Sequence, residues 1–169
     1  MKTSVLLPAA FALLSCLPLA AGAAGGGGGG SEPPKPYVDP VVEKANAEMD
    51  KGNWAGAQAM LRDALASNPG KADYHNLYAY SIRKGPNPDM SLVFKHYNEA
   101  LRIDPRHRGA HEYLGEAYLM VGNLEKAKEH LATLDNLCFL PCSEYTQLKK
   151  AVAGYESSGA IKATSGKSP

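Results

Sequence analysis

Gly52-Asn53-Trp54-Ala55-Gly56-Ala57-Gln58-Ala59-Met60-Leu61 returns 70 residues later as Gly122-Asn123-Leu124-Glu125-Lys126-Ala127-Lys128-Glu129-His130-Leu131. The pattern keeps Gly, Asn, a large apolar residue, Ala and Leu. In the same register Ala45 faces Gly115. A shift of 36 residues gives a second match, Ala64-Leu65-x-x-Asn68-Pro69 with Ala100-Leu101-x-x-Asp104-Pro105. His75 then meets His111, Tyr78 meets Leu114 and Ala79 meets Gly115. The interval divides into units of 34 and 36 residues. Periods of this length belong to repeat architectures.

Each unit reads as two helices. Small residues stand where helices must approach closely: Ala45, Ala79 and Gly115 on the first helices, Ala57 and Ala127 on the second. Leu61, Tyr97 and Leu131 fill the adjacent holes, and Trp54 is expected buried between the helices of unit one. Gly52-Asn53 and Gly122-Asn123 sit where a first helix stops, with Gly in the left-handed position and Asn free to cap the next helix. Pro69 and Pro105 open the turns between units, because proline cannot continue a helix. The spacing predicts helices over 40–50, 54–67, 71–83, 89–103, 107–120, 124–136 and 143–155. In the last, Leu148, Ala151 and Tyr155 share a face, and Ser143 with Glu144 makes a suitable start. A terminal helix of this kind covers the final apolar face of a repeat stack.

These residues resemble the tetratricopeptide repeat (TPR) family. Unit three carries its landmarks in order: Leu114, Gly115, Tyr118, Gly122, Leu124, Ala127 and Leu131. Unit one has Ala45, Gly52, Trp54, Ala57, Leu61, Ala64 and Pro69; unit two has Tyr78, Ala79, Tyr97, Ala100 and Pro105. The turn of unit two, Lys84 to Asp89, departs from the pattern by two extra residues. The resemblance implies an all-α fold, a TPR-like α-solenoid of three helix-turn-helix repeats plus a C-terminal capping helix. The domain is expected over 41–156, with repeats at about 41–69, 71–105 and 107–137 and the cap at 143–155.

The ends read differently. Lys2, the apolar run Val5 to Leu19 and the small-x-small site Ala21-Gly22-Ala23 make 1–23 a signal peptide. The run is too short and interrupted to span a membrane. Leu13-Leu14-Ser15-Cys16 resembles a bacterial lipobox, so a lipid anchor at Cys16 is the alternative. The protein is therefore expected to be exported and periplasmic, or else a membrane-anchored lipoprotein. Residues 24–40, rich in Gly and Pro, read as a linker, and 157–169 as a disordered tail.

Composition narrows the function. Lys and Arg total 18 against 17 Asp and Glu, and loss of Lys2 with the leader balances them. That excludes a strongly basic nucleic-acid binder. Mean hydropathy of −0.29 excludes a polytopic membrane protein. No Gly-x-Ser-x-Gly and no phosphate-binding Gly-x-x-x-x-Gly-Lys-Ser/Thr is present. No catalytic residue, cofactor or metal site is expected, and the protein is not expected to be an enzyme. His107 and His111 are four apart, which is half a metal site, while the repeat register of His75 and His111 points to a structural slot. His96 and His130 are expected without partners. Glu112 and Glu116 share a helical face and read as a solvated or groove wall.

Cys138 and Cys142 flank Phe139-Leu140-Pro141. In an exported chain two nearby cysteines at a proline bend read as a disulfide pinning the cap. The alternative is an envelope thiol-redox or metal-binding protein using this pair.

In the TPR family the first helix of each pair lines the concave surface. Mapped onto this chain, that surface takes Asn46, Met49, Asn76, Tyr80, Arg83, Glu112, Glu116 and Met120. The resemblance implies an exported scaffold or adaptor binding a protein or peptide through this groove. Many family members clamp a carboxylate with Lys, Arg and Asn; Asn46, Asn76 and Arg83 partly fit, and Glu112 and Glu116 do not. Arg83 is expected to be a surface charge facing the ligand.

Overall fold

The computed structural model describes residues 37–158. They form seven helices: α1 (Pro40–Asp50), α2 (Trp54–Ser67), α3 (Ala72–Lys84), α4 (Met90–Ile103), α5 (Arg108–Met120), α6 (Leu124–Leu137) and α7 (Ser143–Ser157). The leader, the Cys16 signal, the linker up to residue 36 and the tail from residue 159 lie outside the described residues. Each helix lies within two residues of its expected span. Asp39 and Pro40, read above as the end of the linker, belong to the fold. Asp39 caps α1 by accepting from the Val41 amide, and its carboxylate also holds Lys71 and Tyr74 of the next repeat.

Local chemistry makes two of the intra-repeat turns identical. Gly52 (φ 75°) and Gly122 (φ 79°) take the left-handed conformation. Gly52 donates to the Met49 carbonyl and Asn53 to that of Glu48, each at 2.9 Å. Gly122 and Asn123 repeat this with Leu119 and Tyr118. These are the paired bonds that close a helix C-terminus. The same asparagines then start the following helix, Asn53 accepting from Gly56 and Asn123 from Lys126, both at 3.1 Å. Unit two uses another device: Gly85 keeps a negative φ of −69°, and Asp89 caps α4 by accepting from Leu92. α7 has no side-chain cap; Cys142 occupies the cap position and Ser143 is the first helical residue, bonding Glu144 instead.

Each helix packs on its neighbour in sequence, and the first helices also touch one another, α1 on α3 and α3 on α5. α7 lies against both α5 and α6. Three apolar clusters fill the seams. Ala45, Leu61 and Tyr74 close the first; Ala79, Ile82, Val93, Tyr97, Leu114 and Ala117 the second; Ala127, Leu134, Leu148 and Val152 the third. Leu131, expected in a hole, is half-buried, and Leu134 one turn on is fully buried instead. Cys138 and Cys142 are joined between α6 and α7, with Cα atoms 5.8 Å apart. Among the described residues no helix is long and apolar enough to cross a membrane.

Gly115 stands where units one and two carry Ala45 and Ala79, and the cap explains why. A Cβ on Gly115 would fall 2.6 Å and 2.8 Å from the two methyl carbons of Leu148, itself fully buried. Gly115→Ala should therefore destabilise by ~1–3 kcal/mol through overpacking. Leu148→Ala should cost less in the Gly115→Ala background than in the parent, as urea unfolding of the four proteins would show. Strict additivity would place the strain elsewhere.

Candidate functional site

The first helices of the three repeats bring one face of each into a shared concavity. On α3, Asn76, Tyr80 and Arg83 follow at intervals of about one turn, so they form a single row. On α5, Glu112, Glu116 and Met120 do the same. α1 contributes Asn46, Met49 and Asp50. A pocket of about 360 Å³ opens there, with these three residues on one wall, Leu77 and Tyr80 on a second, and Tyr113 and Trp54 completing it.

Arg83 is not a free surface charge. It is 7% exposed. Its Nε donates to the Tyr97 hydroxyl at 3.2 Å, and its Nη2 donates to Glu116 at 2.7 Å. The guanidinium also lies over Tyr80 and Tyr113, 5.4 Å and 5.7 Å from the ring centres. The expectation of an exposed contact fails because a planar cation stacked on two rings with a carboxylate at its edge is satisfied internally. Burial holds the Tyr97 hydroxyl protonated, well above the usual tyrosine range. Burial, followed by the charge of Glu112, pushes Tyr113 up to about 12. Breaking a buried pair leaves its partners uncompensated. Arg83→Gln should cost ~2–4 kcal/mol of stability, the lower end reflecting the partial exposure of Glu116. Urea unfolding giving a loss below ~0.5 kcal/mol, a surface-pair value, would contradict this.

Asn76 is also inside, 5% exposed, and its Oδ1 is buried with no hydrogen-bond partner among the described residues. Asn46 and Met120 are exposed, Met49 is buried and Tyr80 half-buried. Glu112 is 3% exposed rather than a solvated wall. Burial, then repulsion from Glu116 and Glu144, pushes its carboxyl up to about 7. Trp54, expected to be substantially buried between α1 and α2, is half-buried and faces the pocket, tilted at 60° against Tyr80. Asp50, Leu77 and Tyr113 were not among the expected groove residues. The four-residue spacing of Asn46 and Asp50 is the signal that could have found Asp50.

The histidines expected to stand alone are paired, twice over. His75 lies 2.8 Å from His96, Nδ1 to Nδ1, while its Nε2 lies 3.0 Å from the Pro69 carbonyl. His111 repeats this with His130 at 2.9 Å and Pro105 at 3.0 Å. A carbonyl only accepts, so Nε2 of His75 and of His111 carries the proton and donates. In the neutral pair Nδ1 of the first-helix histidine then accepts from its partner. His107 caps α5 by accepting from Ala110 and binds Asp73 through its other nitrogen. Among the described residues no three His, Cys, Asp or Glu side chains gather as a metal site.

These groups set opposing pH dependences. Burial, then the charge of the facing histidine, pushes His96 and His130 down to about 4 from their usual 6.5. The unfolded chain protonates first, so their contribution is complete above pH 6.5 and is lost as the pH falls towards 4. Glu112 runs the other way. Its folded value lies above its usual 4.5, so its burial is a liability at pH 8 that fades as the pH falls from 7 to 4.5. Glu112→Gln should stabilise by ~1–3 kcal/mol at pH 8, with the advantage gone by about pH 4.5. Urea midpoints at the two pH values check it; an equal effect at both would show that Glu112 does not titrate as its burial requires.

Residues 42–89 match the sequence profile described as "Tetratricopeptide repeat". Residues 42–89 thus carry a tetratricopeptide-repeat signature. A TPR repeat-containing thioredoxin of Arabidopsis thaliana, TTL4, is 33% identical over 91 residues, which cover 53% of this chain and 13% of that protein. An inactive relative from the same plant, TTL3, is 30% identical over 81 residues, covering 48% and 11%. The chain thus spans only about an eighth of the length of these curated relatives. Among solved structures, the translocator chaperone SycD of Yersinia enterocolitica type III secretion superposes with a TM-score of 0.61 at 12% identity, over 70% of this chain and 82% of that one. SycD in complex with a peptide of the translocator YopD gives 0.58 at 14% identity, over 72% and 91%. The second TPR domain of human RPAP3 with an HSP70 peptide gives 0.56 at 20%, over 66% and 91%. Likeness at these identities establishes the TPR solenoid fold.

Proposed function

We propose that this chain is a non-catalytic adaptor whose concave face holds a segment of another protein, and that it works in the bacterial envelope after export. The observation that carries the docking reading is the pocket between α1, α2, α3 and α5, with its mixture of aromatic, amide and carboxylate side chains. A stack of helix pairs presents one continuous inner surface suited to an extended ligand. TPR folds similar to this one hold a YopD peptide and an HSP70 peptide, which supports the same use here. The periplasmic address rests on Lys2, the apolar run and Ala21-Gly22-Ala23, with acylation at Cys16 as the other route to the envelope.

Among the described residues the concave face brings together amide, aromatic and carboxylate side chains without a Ser, Thr or Cys in the pocket. Arg83, the strongest cation there, is consumed by Glu116 and Tyr97. A thiol-redox role for Cys138 and Cys142 finds little support in the thioredoxin relative, since the chain spans 13% of that protein. The described residues are helical throughout their regular structure, without the strands of a thioredoxin unit.

A photoreactive residue placed at the exposed Asn46, in the cell that makes the protein, should capture a partner. The same residue at Lys128, exposed on α6, should not. Capture at position 128 alone would overturn the groove reading. The intact mass of the purified chain reports its processing: cleavage after Ala23 and a lipidated chain beginning at Cys16 both mean export, and a retained leader would refute it.

A further inference from the structure

The charge of the concave pocket is the opposite of what a carboxylate clamp needs. Its walls are three aromatic rings (Trp54, Tyr80, Tyr113), one carboxylate (Asp50), one amide (Asn46) and apolar side chains, with no Lys, Arg or His. Trp54 and Tyr80 have ring centres 6.4 Å apart; Tyr80 and Tyr113 lie 4.5 Å apart. The molecule already uses two of these rings to hold a cation, the Arg83 guanidinium. Trp54 offers the ring type that attracts cations best, and no cation of the described chain is stacked on it.

Asp50 points the same way. Among the described residues it has no ion-pair partner. The adjacent cation, Lys51, is taken by Glu48 at 2.9 Å. Asp50 is also the last residue of α1, and the last turn contains no basic residue. A carboxylate at the negative end of a helix dipole does nothing for the helix. Carboxylate and dipole together make that rim of the pocket attractive to positive charge. The nearest internal cation adds nothing against this, because Glu116 at 2.7 Å neutralises Arg83.

We propose that the pocket takes the cationic side chain of a Lys or Arg in a basic segment of the partner protein. The head group sits against Trp54 and Tyr80, and Asp50 is its counter-ion. This rests on the concave-face reading above and names the class of segment bound. A pocket of about 360 Å³ is at the small end of ligand-site sizes, suited to one side chain and not to a folded element. The rings supply a dry, attractive wall and Asp50 a charge-assisted hydrogen bond, so the selectivity is for sign as well as shape.

Trp54 is the only tryptophan of the chain, so its emission reports on this pocket without a label. Titration of the full chain with the peptide hexalysine should shift that emission saturably and weaken as salt is raised. Asp50→Asn should weaken hexalysine by about 5–20-fold with unfolding unchanged, and the distant Lys128→Glu should leave it as it was. Hexaglutamate should not move the signal. If hexaglutamate binds as well as hexalysine or better, the cationic inference is overturned and concave docking stands. If Asp50→Asn binds hexalysine as the parent does, or neither peptide binds, the inference is likewise overturned; capture from position 46 then decides whether the docking face itself survives. Spermine binding as tightly as hexalysine would mean a free polyamine pocket, and the peptide assignment would fall.

Discussion

Close approach of helices at side chains of one carbon or none is the constraint on which the rest of this structure depends. Ala45, Ala57, Ala79, Ala100 and Ala127 have no exposure at all. At these points a second methylene would separate two helices, and interiors at crystal-like density do not absorb that. Gly115 is the limiting case, where even a methyl would strike Leu148 of the cap. Large residues then have defined holes to fill: Leu61, Tyr97 and Leu114 are sealed because the small ones let the backbones meet. Stacking geometry and concave curvature follow from these contacts repeated along the chain.

A second layer of order comes from polar groups that recur with the repeat. Two histidine pairs, each anchored on the carbonyl of the proline that opens the preceding turn, tie a first helix both to its turn and to its second helix. A neutral pair has one proton between its Nδ1 atoms and one on the Nε2 that faces the carbonyl, so the motif is satisfied with no charge. An added proton has one open site, the outer Nε2 of His96 or His130, and makes that ring a cation. That places the acid limit of this motif inside the fold itself, where burial already disfavours charge.

The fold was legible because it is written in residues whose roles are local. The left-handed Gly52 and Gly122, the capping Asn53 and Asn123, and the turn residues Pro69 and Pro105 act within a few positions of themselves, so their spacing carries their structure. The histidine pairing was not legible, because it joins residues 21 and 19 positions apart across a helix hairpin, and repeat register revealed only one member of each pair. The site was half legible. Mapping onto the family pattern put Asn76, Tyr80 and Arg83 in one row, and the acidic Glu112 and Glu116 argued against a carboxylate clamp. The mapping could not show that Arg83 turns inward, since that depends on Tyr97 from α4, Tyr113 and Glu116 from α5, and Tyr80 from its own helix meeting at one point. Trp54 was misplaced for a related reason: a large apolar residue at the start of α2 reads as core, and only the opening between α1 and α3 leaves it at the rim of a pocket.

The inward turn of Arg83 changes what the concave face can recognise. Free in the groove, Arg83 would have made a positive pole opposite Glu112 and Glu116, and the surface would have suited a ligand of mixed charge. Buried and paired, it disappears from the ligand's view, and so does most of the charge of Glu116. What remains facing outward near the pocket is Asp50, the carbonyl end of α1 and the faces of three aromatic rings. The guanidinium therefore serves recognition indirectly. It fixes Tyr80 and Tyr113 in place by lying across both, and a rigid ring costs a ligand less to bind than one that must first be ordered. A residue read from the sequence as a surface charge facing the ligand is thus the strut of the aromatic wall proposed to take a basic side chain.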